Sequence, residues 1–302
     1  MTTSSRPVVI VTGAASGIGR RMARALRGLE YRVLAADIDA AGLERVAREE
    51  AWSSDSEVMI ETLDVRDSSR WESTVEAAVG RFGRLDTLLN VAGYLRPGYV
   101  HDLTPELLDL HVDVNVKGVM YGTRAAARHM VRQGRGHIVN VASIAGISHV
   151  PGLSAYCASK HAVRGFSLSV AHELSRHGIA VTVFCPDAVE TPMLTLQEDY
   201  PEAAMTFGTR RALTLAEVEE ALLEALIERP LEIVLDVPLS FRAIGAKLAN
   251  VFPGLTALAA PHIARNGRAV QERRTRPASD QRPSAHERSV RLSRSSSASM
   301  KG

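Results

Sequence analysis

Val8-Val-Ile-Val-Thr-Gly-Ala-Ala-Ser-Gly-Ile-Gly19 runs a continuous β-branched stretch into three glycines, and Arg20 to Arg27 follow with helical spacing. A short apolar run bounded by glycines reads as a fully buried strand, and its direct passage into a helix reads as a strand–turn–helix unit. Glycines let such a turn be sharp and bring bare backbone close to a ligand. The free N–H groups and positive dipole end of the next helix then suit a pyrophosphate. The same glycines would serve an ordinary tight turn, but their position between strand and helix favours anion binding. Gly13, Ser16, Gly17, Ile18 and Gly19 are the phosphate-side candidates, in a G-x-x-x-G-x-G spacing that differs from the commoner G-x-G-x-x-G.

Outward from this loop, short β-branched runs alternate with longer segments of helical spacing up to about residue 240. The candidate strands are Pro7 to Val11, Arg32 to Asp37, Val58 to Leu63, Leu85 to Asn90, His137 to Val141, Ala180 to Cys185 and Leu231 to Leu235. Strands separated by helices predict an α/β, doubly wound parallel sheet with helices on both faces. Thr104-Pro105-Glu106 starts a helix expected to run through Asn115 to about Met130. Another is expected from Leu153 to His177, closed by Gly178.

Asp37 ends the second strand where an adenosine ribose should lie. Its carboxylate accepts from both ribose hydroxyls and repels a 2′-phosphate, so the sequence predicts NAD(H) and disfavours NADP(H). Asp64, with Val65 after it, follows the third strand; the carboxylate suits an adenine amino group or a helix N-cap.

Tyr156 and Lys160 stand four residues apart, on one face of the helix expected from Leu153. A free phenol titrates near about 10, too high for an efficient base at neutral pH. Lowering that by two to three units requires about 3 to 4 kcal/mol of preferential phenolate stabilisation, within reach of an adjacent ammonium in a water-poor cleft together with an oxidised nicotinamide. Ser143 ends the fifth strand on the ligand-binding edge, where its hydroxyl either caps a turn or donates to a substrate oxygen. Asn115 interrupts a good helix former, and its amide is a candidate for holding a water against Lys160 or for filling a helix irregularity.

Taken together, Thr12-Gly13-x3-Gly17-x-Gly19, Asn90-Val-Ala-Gly93, Asn115, Ser143, Tyr156, Lys160 and the Pro186 to Thr191 segment resemble the short-chain dehydrogenase/reductase family over about residues 6 to 236. The resemblance implies a Rossmann-type seven-stranded fold and a catalytic Asn115, Ser143, Tyr156 and Lys160. It also implies hydride transfer between a nicotinamide dinucleotide and a secondary alcohol or its carbonyl partner. It places Asn90, Ala92 and Gly93 beside the adenosine side of the cofactor, and Pro186, Val189 and Thr191 at the nicotinamide. Three departures stand out: Val91 in place of a small polar residue, Asp187 in place of a glycine, and a domain end at Leu231 to Pro238 without the glycine-rich close of many tetrameric members.

The chain has 302 residues, 45% of them apolar, enough for one large domain with an appendage. We expect a catalytic domain over residues 1–240, an apolar, helical extension over 241–266 near the substrate side, and a disordered Ser/Arg-rich tail over 267–302. The tail carries eight Arg and one Lys against three acids. The rest is mildly acidic, which excludes a folded body built as a nucleic-acid surface. The N-terminus enters a strand pattern without a signal core, and Cys157 and Cys185 are too few for a disulfide framework, so a cytoplasmic setting is expected. The predicted pocket walls are apolar, pointing to a hydrophobic alcohol or carbonyl substrate. A homodimer or homotetramer and peripheral membrane contact through 241–266 or the tail are further expectations, and no metal site is expected. A catalytically idle dinucleotide sensor or scaffold of the same fold is the competing reading.

Overall fold

The structure is a computed structural model describing residues 6–208, 211–237 and 253–275. Its centre is a seven-stranded, all-parallel sheet: β1 (Val8–Thr12), β2 (Arg32–Asp37), β3 (Val58–Thr62), β4 (Thr87–Asn90), β5 (Gly136–Val141), β6 (Ile179–Pro186) and β7 (Glu232–Leu235). The spatial order is β3-β2-β1-β4-β5-β6-β7. The chain therefore moves outward from β1 to one edge, then returns beside β1 and grows toward the other, which leaves a crevice at the carboxyl ends of β1 and β4. All seven expected strands are present, with ends shifted by up to two residues.

Alternation along β1 shows why both faces need cover. Val9 and Val11 point into a core shared with α1 (Gly17–Gly28), α2 (Ala40–Glu49) and α8 (Leu215–Glu228). Val8 and Ile10 point into the opposite core, shared with α3 (Ser68–Phe82), α5 (Gly118–Gln133) and α6 (Ser154–Ser175). Met22 and Leu26 on one side and Trp71 and Met130 on the other are wholly buried. Each such large side chain contributes about 1.5–3 kcal/mol of transfer free energy. The two cores fix the plane and register of the sheet, and with them the edge on which the crevice opens.

The helix expected from Thr104 is not uniform. It divides into α4 (Pro105–Val112), a π-helical turn at Asp113–Lys117 and α5. Asn115 lies in the π turn, wholly buried, and its amide reaches the main chain of Tyr94. π turns of this kind widen the backbone locally and are frequent at functional sites. Asp67, rather than Asp64, caps α3 by accepting from the Ser69 and Arg70 amides.

The C-terminal boundaries differ from expectation. Residues 241–252 and 276–302 lie outside the described residues, but one helix, α9 (Pro253–Thr275), crosses both Pro261 and the boundary expected at 266. An internal proline costs roughly 3 kcal/mol of helix stability. Here the helix is held by packing against the 3₁₀ segment Pro201–Phe207. Residues 267–275 are therefore helical, contrary to the disorder expected there. Composition misled because this stretch is anchored by an amide and a guanidinium rather than by an apolar stripe. Among the described residues no helix is long and apolar enough to cross a membrane.

Candidate active site

A cleft of about 340 Å³ opens along the carboxyl edge of the sheet. Gly13, Ser16, Gly17, Ile18, Gly19, Asp37, Asp64 and Val65 line one end. Ser143, Tyr156, Lys160, Pro186, Val189 and Thr191 line the other, with Ala92 and Gly93 between. The fold thus gathers residues as far apart in sequence as Gly13 and Thr191.

The glycine end is close-packed main chain. Gly13 and Gly17 have φ of 70° and 50°, and a Cβ on Gly19 would stand 2.1 Å from the Gly13 carbonyl oxygen. Ser16 at the N-cap of α1 makes no side-chain capping bond, and the first turn carries no acid. Bare backbone, uncapped amides and a positive helix end fit a dinucleotide pyrophosphate. Thr12 braces the loop: its Oγ1 accepts from the Val91 and Ala92 amides, both at 3.0 Å. Asp37 is fixed beside it, accepting from Ala15 N and Asp39 N at 2.9 Å each. Asp64 stays on the wall with its carboxylate bound by Arg66, whose guanidinium holds the pKa below the usual carboxylate range.

The other end is built from buried side chains. Tyr156 and Lys160 lie on α6, 8% and 3% exposed, and the Lys160 ammonium sits 5.6 Å from the Tyr156 ring centroid. Ser143 caps a turn, accepting from Ala145 N at the start of a 3₁₀ segment and donating to the Pro186 carbonyl at 3.5 Å, and its hydroxyl lies near enough to Tyr156 to favour phenolate. Burial pushes the phenol pKa up, partly opposed by Ser143. Burial also pushes the Lys160 ammonium down to about 8. Lys160 Nζ donates to the Val141 carbonyl at 2.8 Å. Both shifts have the same cause, since a site without water penalises whichever form carries charge. A positive charge brought into the cleft favours phenolate over phenol and so reverses the penalty on Tyr156.

Two expected site residues sit off the cleft wall. Asn90 faces away, 2% exposed, and its amide donates to Asn140 Oδ1 at 2.9 Å and Thr123 Oγ1 at 3.4 Å. Its side chain forms a polar bridge between β4 and β5, where Asn90 and Asn140 are register partners. Asn115 accepts from Tyr94 N at 2.7 Å and donates to Tyr94 O and to Ser159 Oγ. Its hydrogen bonds go to these groups rather than to Lys160, which donates to Val141 O. A Cβ on Gly93 would lie 3.4 Å from Asn115 Oδ1 and 3.7 Å from Lys160 Nζ, so Gly93 keeps the space between them open. Asp187 turns inward, 5% exposed, and lines the cleft. Gln197 and Thr206 also line it, joined through a 2.9 Å hydrogen bond. Cys157 and Cys185 are buried free thiols whose pKa values burial raises, as expected of core residues.

Residues 7–201 match the short chain dehydrogenase family model, and the chain belongs to that family. It is 38% identical over 198 residues to 2-(R)-hydroxypropyl-CoM dehydrogenase of Xanthobacter autotrophicus, covering 65% of this chain and 79% of that protein. A short chain dehydrogenase/reductase from Burkholderia phymatum, solved in complex with NAD, superposes with a TM-score of 0.73 at 27% identity, over 85% of this chain and 97% of the other. An actinorhodin polyketide ketoreductase solved with NADPH superposes at 0.71 and 33% identity, over 78% and 97%. The chain is an oxidoreductase of the class that moves a hydride between a nicotinamide nucleotide and an alcohol–carbonyl pair. The competing reading, an idle scaffold, is not favoured.

Proposed function

We propose that the protein is an NAD(H)-selective dehydrogenase/reductase for hydrophobic secondary alcohols and their ketones or aldehydes, with Tyr156 as the proton-exchanging group. The observation that carries this reading is the junction of a buried Tyr156–Ser143–Lys160 group with a glycine loop and Asp37 in one cleft. Gly13, Ser16, Gly17, Ile18 and Gly19 would hold the pyrophosphate, Asp37 the adenosine ribose, and Lys160, Pro186, Val189 and Thr191 the nicotinamide half. When bound, the dinucleotide supplies the hydride acceptor or donor.

The chain's own residues do the rest. Ser143 donates to the substrate oxygen and holds it beside the Tyr156 phenol oxygen, which as phenolate takes the proton of an alcohol and as phenol returns one to a carbonyl. Lys160 adds a positive charge that favours phenolate. Asn115 positions the loop after β4 through both main-chain groups of Tyr94. Cofactor selectivity rests on Asp37, because solved relatives of the same fold were captured with NAD and with NADPH. Lys160 is the only basic side chain among the described residues lining the cleft, and none of the others answers a 2′-phosphate.

Leu95, Ile144, Val150, Leu153, Met193 and Leu194 form the wall around the reacting end. Such a surface suits an apolar substrate body with one oxygen. The free thiols fit a reducing cytoplasmic setting, and we place catalysis in residues 1–240, in a homo-oligomer. The test is a panel of hydrophobic secondary alcohols and ketones, followed by nicotinamide absorbance with both dinucleotides. The reading expects turnover that favours NAD(H). Equal use of NADP(H), or turnover confined to charged or sugar substrates, would sink the finer assignment.

A further inference from the structure

From the contacts of α9 we infer that Gln271 and Arg274 are positioning residues for the reaction: they strap the segment 190–207 into the shape that closes the substrate end of the cleft. This rests on reading that end of the cleft as the substrate site. Met193, Leu194, Gln197 and Thr206, all in the strapped segment, line the cleft. The segment has little regular structure of its own: α7 (Pro192–Leu196) and two 3₁₀ turns, Gln197–Asp199 and Pro201–Phe207. Short turns of this kind open at low cost unless something outside them holds their ends.

Gln271 is that holder. It is 5% exposed, and its Nε2 donates to the carbonyls of Gln197 at 2.9 Å and Tyr200 at 2.7 Å. One amide thus pins both ends of the turn between α7 and the Pro201–Phe207 segment. Arg274 makes a second clamp one turn on: it pairs bidentately with Glu190 at 3.0 and 2.7 Å and bonds Glu198 at 2.6 Å. Glu190 immediately precedes Thr191 on the cleft wall and Glu198 immediately follows Gln197, so the two carboxylates bracket α7. Closely spaced contacts of this type fix a loop more effectively than an isolated exposed pair does.

The helix is also seated too closely to slide. A Cβ on Gly267 would stand 1.7 Å from the Ala204 carbonyl oxygen, so main chain packs on main chain there. Ile263 and Ala264, like Met193, pack against the cluster that includes Leu153, Tyr156 and Met205. The helix therefore reaches from the back of the strapped segment to the cluster that contains Tyr156. Part of the stretch with the tail's basic composition serves the site from outside it.

The experiment compares the full chain with Q271L, R274M and the double variant; R274K is the conservative control. Hydrogen exchange of residues 192–207 is read against the amides of β5. The double variant should exchange that segment about tenfold or more faster with β5 unchanged, as expected of a local rather than a global opening. The second readout is steady-state oxidation of the series 2-butanol to 2-decanol with NAD, alongside NADH affinity. KM for the longer alcohols should rise about tenfold in the double variant, with NADH affinity unchanged and R274K closer to the parent. Unchanged exchange at 192–207 would overturn the strap. Faster exchange with KM unmoved would overturn the positioning role and leave only stabilisation. If the parent turns over none of these alcohols, the substrate reading fails, and the exchange measurement alone then decides the strap.

Discussion

At the β1 end of the cleft the ligand-facing surface is main chain, held by short local bonds; at the α6 end it is a set of buried side chains held at an energetic cost. The glycine loop has no charge to desolvate, and its Thr12 and Asp37 supports are paired to backbone amides. Tyr156 and Lys160 are instead buried so deeply that burial raises the pKa of one and lowers that of the other. One end is shaped for binding an anion that brings its own charge. The other holds groups whose charged forms become favourable only when a partner arrives, which is how functional sites come to be less stable than the scaffold that carries them.

Tyr156→Phe should break the comparison most visibly. It removes one hydroxyl from the α6 end and nothing from the β1 end, so turnover should fall about 10²–10⁴-fold while NADH affinity stays within a factor of two to three. Single-turnover kinetics and fluorescence titration of NADH measure the two separately. Unchanged turnover would remove Tyr156 from the mechanism. Gly19→Ala makes the converse cut. Its Cβ would meet the Gly13 carbonyl oxygen at 2.1 Å, so the loop must open. NADH affinity should fall about a hundredfold and stability by roughly 1–3 kcal/mol. Urea unfolding together with NADH titration would check both.

Lys160→Met addresses the energetic cost at the α6 end. Burial lowers the Lys160 pKa from its ordinary 10.5 to about 8. Between those values the unfolded chain binds more protons than the folded one, so this group makes stability rise as pH climbs from about 8 to 10.5. Below about 8 the folded state carries the full cost of a buried ammonium. The methionine variant should therefore be more stable than the parent at pH 7, by about 1–3 kcal/mol, and the gap should close toward pH 10.5. Turnover should fall in the same variant. A parent more stable than the variant at neutral pH would mean that the bond from Lys160 to the Val141 carbonyl outweighs desolvation.

The two ends also differ in how far the sequence disclosed them. Gly13, Gly17 and Gly19 are separated by six residues at most, and a turn that short writes its geometry directly into spacing. Tyr156 and Lys160 were legible for the same reason, being one helical turn apart, and all seven strands were legible from β-branched runs between helical segments. The direction of the Asn90 side chain was not legible because a strand-end side chain can face either way, and its choice is settled by Asn140 on the neighbouring strand, 50 positions distant. An irregularity at Asn115 was one of the two readings that residue offered, but its π form and its partner were not legible because an amide bonding to the main chain of Tyr94 leaves no mark on helical periodicity. Gln271 and Arg274 were hidden twice over. Their partners lie 71 to 84 positions upstream, and their basic, polar surroundings read as a segment that buries nothing.

Asp37→Ser is the smallest expected effect and the finest probe of the β1 end. The carboxylate is pre-set by two backbone amides, so removing it costs a little loop order together with two acceptors for a ribose. The larger consequence is loss of repulsion toward a 2′-phosphate, since selectivity between two ligands is a difference of affinities and here depends on one unfavourable charge. With no basic side chain but Lys160 among the described residues of the cleft wall, the variant gains no attraction for that phosphate. The ratio of kcat/KM for NAD to that for NADP should therefore drop about tenfold, about 1.4 kcal/mol, through a weaker NAD rate and a modestly improved NADP rate. Adding an arginine at residue 38, as Asp37→Ser with Ile38→Arg, should carry the ratio below one. If the single variant leaves the ratio unchanged, discrimination lies elsewhere than in Asp37, and the β1 end is selective by shape rather than by charge.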